Sequence, residues 1–295
     1  MCRIQPFRLA LGDTPQITEQ PESRQQRYDK ANHKTERSHC ADDGWVLCVA
    51  LTADGRTAVS ASWDNTLKVW DVQTGALRHT LAGHTDWVKH VALTADGRTA
   101  VSASEDKTLK VWDVQTGALR HSLAGHTDWV KHVALTADGR TAVSASWDNT
   151  LKVWDVQAGT LRHTLAGHTA SVNHVALTAD GRTAVSASDD KTLKVWDVEK
   201  GELWDSFADD DEGCAALLRA YPQVKAFAGF ERAANGLGLS WRWRGSALAI
   251  HAADGALLAR FYGDAEITAA AWSADGQFVV AGDYVGRVLL LRWVG

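Results

Sequence analysis

Apolar and polar positions follow the same order four times between residues 41 and 208. In the first copy, residues 45–51 form an unbroken apolar run, which is typical of an innermost strand buried on both faces. Residues 66–72 alternate in polarity, as expected of a third strand. A second and an outer strand are predicted over residues 57–62 and 76–81. Short turns such as Asp54-Gly55 separate these runs, so the pattern predicts an antiparallel meander.

The meander is repeated almost unchanged with a period of 42 residues. Residues 83–124 and 125–166 differ at only five positions. These are Glu105/Trp147, Lys107/Asn149, Thr116/Ala158, Ala118/Thr160 and Ser122/Thr164. Further copies span residues 41–82 and 167–208. Repeats of about 40 residues with four strands each are typical of propeller blades. We therefore predict an all-β fold, a β-propeller of four-stranded antiparallel blades.

The repeat pattern weakens after residue 208, and this defines the predicted domain organisation. Residues 209–295 provide two degenerate blades, so six blades are predicted in total, or seven if residues 209–262 contain another. The propeller then spans residues 41–295, with the regular repeats over 41–208. Residues 1–40 form a separate, mostly polar segment of linker composition. Because the last blade lacks an outer strand, residues 4–11 are the candidate to close it.

Composition narrows the classes of function. The net charge of −5 gives no reason to expect nucleic acid or an anionic membrane as a partner. The four cysteines, Cys2, Cys40, Cys48 and Cys214, show neither paired nor metal-ligand spacing, which favours a reducing compartment. No apolar run suggests a signal peptide or a membrane span. A cytoplasmic monomer without cofactor or metal is expected.

Two dipeptides mark the ends of the repeats. Gly-His begins three copies, and Trp-Asp ends the third strand of all four. The pairs are Gly83-His84, Gly125-His126, Gly167-His168, Trp70-Asp71, Trp112-Asp113, Trp154-Asp155 and Trp196-Asp197. In these residues the chain resembles the WD-repeat (WD40) β-propeller family over residues 41–208, and weakly beyond.

The resemblance implies a buried hydrogen-bonded set of His, Ser, Asp and Trp in each blade. The matching sets are His84, Ser102, Asp106 and Trp112; His126, Ser144, Asp148 and Trp154; and His168, Ser186, Asp190 and Trp196. The first repeat keeps Ser60, Asp64 and Trp70 but has Asp42 at the His position, so its set is incomplete.

Near-identical copies look most like bacterial WD-repeat proteins, whose blades arise by internal duplication. Similar propellers end multidomain signalling ATPases. The chain has no GxxxxGK[ST] phosphate loop, so one alternative is the ligand-sensing fragment of a larger signalling ATPase.

Two kinds of chemistry compete with a structural role. His, Ser and Asp also make up a hydrolase triad, but three identical sets fit blade stabilisation better than one activated nucleophile. His90, His132 and His174 recur on inner strands, where they could approach one another around the channel and bind a metal; packing is the simpler interpretation. A further alternative is an enzyme with a site in residues 209–262, using an acid or base such as Asp211 or Glu231.

The strongest functional signal is the set of loop residues at one end of the blades, where the family gathers its ligand contacts. Five tryptophans lie there, and exposed aromatic residues with a few charges are typical of interface hot spots. The predicted partner-binding residues are Trp45, Trp63, Trp87, Lys89, Glu105, Trp129, Lys131, Trp147, Asn173 and Asp189, with Ser171 beside them. We expect a protein or peptide partner. Amine recognition and an acidic peptide are the alternatives within this class.

Overall fold

The computed structural model describes most of the regular repeats and shorter stretches on either side of them. Residues 44–209 are described except residue 179. The shorter stretches are residues 3–6, 39–40, 216–217, 220–221, 233–234, 240–244, 247–251, 257–262, 267–272, 278–283 and 287–294. Residues 7–11 of the candidate closing strand, together with Asp42, Asp211 and Glu231, lie outside this part of the chain.

The four regular repeats form four sheets of four antiparallel strands, paired in sequence order. Sheet 1 contains Val46–Leu51, Thr57–Ser62, Thr66–Asp71 and Leu77–Ala82. Sheet 2 contains Val88–Leu93, Thr99–Ser104, Thr108–Asp113 and Leu119–Ala124. Sheet 3 contains Val130–Leu135, Thr141–Ser146, Thr150–Asp155 and Thr160–Ala166. Sheet 4 contains Val172–Leu177, Thr183–Ser188, Thr192–Asp197 and Glu202–Ala208. The predicted all-β, bladed architecture is confirmed.

Two further sheets lie in the described part of the chain. Sheet 5 contains Ala233–Ala234, Ser240–Arg244, Ala247–His251 and Leu257–Tyr262. Sheet 6 contains Ile267–Trp272, Phe278–Asp283 and Arg287–Val294. Arg3–Pro6 pairs antiparallel with Arg287–Val294, opposite its residues 291–294. His39–Cys40 pairs with the same strand at residues 287–288. Two stretches of the N-terminal segment therefore lie along the edge of sheet 6.

The hydrophobic core lies between neighbouring sheets. One cluster joins Val59, Leu67 and Val69 of sheet 1 to Val91 and Trp112 of sheet 2. Sheets 2 and 3, and sheets 3 and 4, share clusters of the same composition. Because the copies are nearly identical, one interface is repeated from sheet to sheet. Burial of these aliphatic and indole side chains is the main stabilising term of the fold.

Sheet 6 packs on sheet 1 in the same manner. Val288 of sheet 6 lies in one buried cluster with Val46, Val49, Trp70 and Val72 of sheet 1. The last sheet in the chain therefore contacts the first, as a ring of blades requires. At the other end of the regular repeats, Leu217 packs on Val185, Leu193 and Val195 of sheet 4.

The inner strands are not buried on both faces, so this expectation was wrong. In Val46–Leu51 only Val46 and Val49 are buried, three residues apart, and the other side chains are half-buried. The register shifts by one residue between Val46 and Cys48, so that Leu47 is an additional residue in the strand. Such a β-bulge turns the strand and changes which side chains face the core. The second and third strands are the most buried, including both faces of Thr66–Asp71.

Candidate functional site

The β-bulge places one side chain of each inner strand on the loop face. The same register shift occurs at the start of all four regular inner strands. The additional residues are Leu47, Lys89, Lys131 and Asn173. Bulges commonly re-aim side chains near binding sites. Three of the predicted partner-binding residues, Lys89, Lys131 and Asn173, therefore occupy this special backbone position.

The loop between the second and third strands lies next to the loop before the inner strand. In each sheet a backbone N–H of the former donates to a carbonyl of the latter: Trp63 to Trp45, Glu105 to Trp87, Trp147 to Trp129 and Asp189 to Ser171, at 2.9–3.0 Å. The second–third turn is tight because it contains a residue with φ of 63–68°, namely Asn65, Lys107, Asn149 or Lys191. These hydrogen bonds bring two variable side chains together in every blade.

Three of the five indoles form a continuous stack. The rings of Trp45 and Trp63 lie 3.8 Å apart, and those of Trp63 and Trp87 lie 4.0 Å apart. Trp63 is enclosed between its neighbours, and its buried Nε1 has no hydrogen-bond partner. Trp45 remains 41% exposed. The other four indoles are half-buried, because they contact one another and nearby lysines.

Charged side chains continue the array from sheet 2 to sheet 3. Glu105 is only 5% exposed. Its Oε1 lies 3.4 Å from Lys89 Nζ and 4.0 Å from Lys131 Nζ. Lys131 Nζ also lies 4.6 Å from the ring centre of Trp147 and 5.9 Å from that of Trp129. Partial burial and the nearby Lys89 charge lower the pKa of Lys131, while the Glu105 charge opposes this effect.

Hydrogen bonds complete the array in sheet 4. Trp147 Nε1 donates to Asn173 Oδ1 at 3.2 Å, and Asn173 Nδ2 donates to Asp189 Oδ1 at 2.6 Å. All ten predicted partner-binding residues are therefore linked by contacts across four blades. We name this continuous row the tryptophan arc. Its members are Trp45, Trp63, Trp87, Lys89, Glu105, Trp129, Lys131, Trp147, Asn173 and Asp189.

The His, Ser, Asp and Trp sets are structural in their geometry. In sheet 2, His84 Nδ1 lies 2.7 Å from Asp106 Oδ2, and His84 Nε2 lies 2.7 Å from Ser102 Oγ. Trp112 Nε1 donates to the same hydroxyl at 2.9 Å. Sheets 3 and 4 repeat these bonds within about 0.1 Å. Ser102 has 0% exposure, so no substrate can reach its hydroxyl in this conformation.

Protonation of this set follows from burial and pairing. Burial lowers the pKa of His84, although Asp106 opposes the shift. For Asp106, burial raises the pKa, but hydrogen bonds from His84 and Thr108 outweigh it and hold the pKa well below its usual range. The carboxylate is therefore an ionised acceptor at neutral pH, held in place by its donors.

The equivalent lysine of the third strand has different partners in sheet 1 and in sheet 2. Lys68 Nζ donates to Asp64 Oδ2 at 2.8 Å and to Thr66 Oγ1 at 3.1 Å. The equivalent Lys110 instead donates to Ser122 on its outer strand. The lysine therefore changes partner in the one repeat where Asp64 has no histidine at the matching position.

The inner-strand histidines form a column. The rings of His90 and His132 lie 3.7 Å apart at 30°, and those of His132 and His174 lie 5.2 Å apart at 63°. The buried Nδ1 atoms of His90 and His132 have no hydrogen-bond partner. Stacked rings direct their in-plane nitrogen lone pairs side by side rather than toward one point. Within the described residues, no group of three or more His, Cys, Asp or Glu side chains is placed to hold a metal ion.

The chain was compared with known proteins by family and by relative. It matches the family described as "WD domain, G-beta repeat" over residues 32–71, 75–113, 117–155, 159–197 and 255–286, which is more than half of its length. The chain belongs to the WD-repeat family. This WD-repeat protein carries its fifth match within residues 209–295, where the landmarks are weakest to the eye. The expected resemblance is thereby confirmed.

Three curated relatives share about one to one and a half repeats with this WD-repeat protein. "Autophagy-related protein 16" of Arabidopsis thaliana is 49% identical over 43 residues, 15% of the chain and 8% of the relative. "Pre-mRNA-splicing factor PRP46" of Saccharomyces cerevisiae is 52% identical over 42 residues, 14% and 9%. "Uncharacterized WD repeat-containing protein C126.01c" of Schizosaccharomyces pombe is 41% identical over 64 residues, 20% and 17%.

These matches limit what can be transferred. The aligned stretches cover less than a fifth of each relative's length. The three relatives come from a plant and two yeasts, so they do not support the bacterial origin expected from the near-identical repeats. In the described residues, no helix is long and apolar enough to cross a membrane.

Proposed function

We propose that this WD-repeat protein is a non-enzymatic scaffold or sensor module that binds a protein or peptide on the tryptophan arc. WD repeats point to a protein-interaction role in general, and the arc adds a place for it. The observation that carries the proposal is the continuous row of indoles, lysines and carboxylates across four blades. Rigid aromatic side chains with pre-positioned charges are the usual composition of binding hot spots.

The stacking supports the proposal in a particular way. Indoles that already pack on one another lose little side-chain entropy when a partner arrives. The edges of the stacked indoles and the exposed Trp45 at the end of the stack then offer apolar area to a partner. Lys89 and Lys131 provide charge at fixed positions. The arc is therefore a pre-organised surface rather than a set of flexible side chains.

The identity of the partner does not follow from the relatives. Their printed names refer to autophagy in one case and to pre-mRNA splicing in another, although each shares only about one repeat with this chain. A shared blade carries the fold, and partner choice depends on loop residues that differ even between copies within this chain. We keep a cytoplasmic location, a monomeric state and membership in a larger signalling protein as predictions. The enzymatic alternative, with Asp211 or Glu231 as its acid or base, falls on residues outside the described part of the chain.

The test is a capture experiment with a matched control. The double variant Trp87→Ala/Trp129→Ala removes two indoles of the arc, and Trp204→Ala removes an indole that is 47% exposed on an outer strand away from it. We expect a host-lysate partner to be retained by wild type and by Trp204→Ala and lost by the double variant. Loss of the partner by both variants, or its retention by the double variant, would place the interaction elsewhere. Circular dichroism of each variant confirms that it is folded before the comparison.

A further inference from the structure

A cleft of about 340 Å³ lies where the tryptophan arc ends, between sheets 3 and 4. Its lining residues are Lys131, Asn173, His174, Ala187, Ser188, Asp189 and Asp209. The cleft combines an ammonium group, an amide, an imidazole and two carboxylates within one open depression. It shares Lys131, Asn173 and Asp189 with the arc, so a partner on the arc would reach it.

Two amino-acid differences between the copies explain why the cleft is present. Asp189 occupies the repeat position that Trp147 occupies in sheet 3 and Trp63 in sheet 1. Those two indoles fill the equivalent space by packing on Trp129 and on Trp45 and Trp87, respectively. A carboxylate is much smaller than an indole, and Ser171 likewise replaces the neighbouring tryptophan. The cleft is the space left by the absent aromatic pair.

The side chains that line the cleft carry a net negative charge. The cleft has two carboxylates and one ammonium group, that of Lys131, whose Nζ lies 4.0 Å from Glu105 and over the ring of Trp147 and is also influenced by the Asp189 charge. Asp189 and Asp209 are exposed carboxylates, and among the described residues neither forms an ion pair. Asn173 fixes one oxygen of Asp189 by donating to it at 2.6 Å. The sequence continues with Asp210, Asp211 and Glu212 directly after the cleft residue Asp209.

We infer that this cleft receives a basic side chain of the partner, with arginine the best fit. The guanidinium group is planar, donates in pairs to carboxylates and packs on aromatic rings. Asp189 and Asp209, which both line the cleft, supply the carboxylates. The inference rests on the proposed function, since it names one anchor residue of the partner that binds the arc.

The test uses peptides that differ only in charge at one position. Three mixtures of nonapeptides carry random flanks and a central arginine, citrulline or glutamate, and each is captured on immobilised full-length protein. Citrulline has the shape of arginine without its charge. We expect the arginine mixture to be retained at least about fivefold more than the other two, because an ion pair with exposed carboxylates is of modest strength. The preference should weaken at high salt.

Two variants locate the site. Asp189→Trp restores the residue of sheets 1 and 3 and fills the cleft, whereas Asp189→Asn keeps its size and removes the charge. Both should abolish the preference for arginine over citrulline, while Glu202→Gln, a charge change on an outer strand, should preserve it. Equal retention of arginine and citrulline, a preference for glutamate, or an arginine preference that persists in Asp189→Trp would each overturn the inference.

The outcomes separate this inference from the proposed function. A lysate partner that Asp189→Trp still captures, but Trp87→Ala/Trp129→Ala does not, leaves the arc as the binding surface and removes the cleft from it. An arginine preference in the peptides that does not depend on Trp87 and Trp129 would show that the cleft binds a basic side chain without the arc.

Discussion

Two loop regions of the regular blades differ in how far the repeats agree. In the turn between the first and second strands, at the end opposite the arc, all four copies have the sequence Thr-Ala-Asp-Gly-Arg. At the arc end, the paired loop positions are Trp45/Trp63, Trp87/Glu105, Trp129/Trp147 and Ser171/Asp189, four different combinations. A position that every blade uses for packing cannot vary, whereas a position that contacts a partner can. The difference therefore separates structural residues from candidate functional ones within a single chain.

The invariant turn has a packing reason in the structure. Gly139 adopts φ +68°, and a Cβ there would lie 2.4 Å from Cγ2 of Thr94 in the preceding sheet. Gly97 and Gly181 meet Thr52 and Thr136 in the same way. Within each turn the threonine hydroxyl donates to the aspartate, for example Thr94 to Asp96 at 2.6 Å. Neighbouring blades thus contact through one glycine and one threonine, and both are needed in every copy.

The largest expected effect breaks this packed end. Gly139→Ala should lower the free energy of unfolding by about 3 kcal/mol, because it adds left-handed backbone strain and a steric clash. The double variant Gly139→Ala/Thr94→Ser removes the clashing methyl group but keeps the hydroxyl, so it should recover part of the loss. Denaturant unfolding of wild type, Gly139→Ala and the double variant measures both the loss of stability and its partial recovery. A loss below about 0.5 kcal/mol in Gly139→Ala would mean that the glycine is not required for packing.

The fold was largely predictable from the sequence because its signals are local. Turn residues such as Asp54-Gly55 and the repeated Trp-Asp dipeptides fix where strands begin and end. The burial of the inner strands was predicted wrongly because the bulge at Leu47 depends on the register with the neighbouring strand. The change of partner by Lys68 was missed because the same lysine occurs at this position in all four copies.

The partner-binding role of the ten residues stays a prediction, and the contacts among them could not be predicted from the sequence. Their stacking depends on the next blade, as where Trp63 contacts Trp87. The cleft depends on two sheets at once, because Asp189 leaves space that Lys131 of the preceding sheet borders.

The histidine column leads to a second prediction, which concerns unfolding in acid. Burial, with a smaller contribution from the charge of His174, lowers the pKa of His90 to about 4 from a usual 6.5. As the pH falls, His90 therefore binds a proton in the unfolded chain before it does so in the folded protein. The stabilising contribution of neutral His90 is complete above about pH 6.5 and is lost as the pH falls toward 4. Burial likewise holds the pKa of His132 well below its usual value.

The variant His90→Phe keeps a stacked ring and removes the titration. We expect its acid unfolding midpoint, followed by near-ultraviolet circular dichroism, to move to lower pH, with about 2 kcal/mol less stability lost between pH 7 and 4 than in wild type. The variant Trp204→Phe, at an exposed position that does not titrate on an outer strand, is the control and should leave the midpoint in place. An unchanged midpoint in His90→Phe would exclude the column as a source of acid sensitivity.

A smaller effect sharpens the comparison within the arc itself. Glu105 pairs with two lysines and is nearly buried, whereas the equivalent Asp189 is exposed and is bonded by Asn173. Glu105→Gln should therefore lower the free energy of unfolding by about 1 kcal/mol, and less at high salt. Asp189→Asn should change it by less than about 0.5 kcal/mol. Equal losses measured by urea unfolding would mean that the two positions do not differ in structural role.

The most direct test of the account measures partner affinity and unfolding free energy on the same Trp87→Ala/Trp129→Ala protein. Each half-buried indole contributes about 1 kcal/mol of stacking in addition to the apolar area that it buries, so we predict a folded protein that is about 4 kcal/mol less stable. Its affinity for the captured partner should fall at least about tenfold, while Trp204→Ala retains wild-type affinity. Wild-type affinity in the double variant, or loss of the fold, would contradict the claim that the arc is a binding surface rather than part of the core.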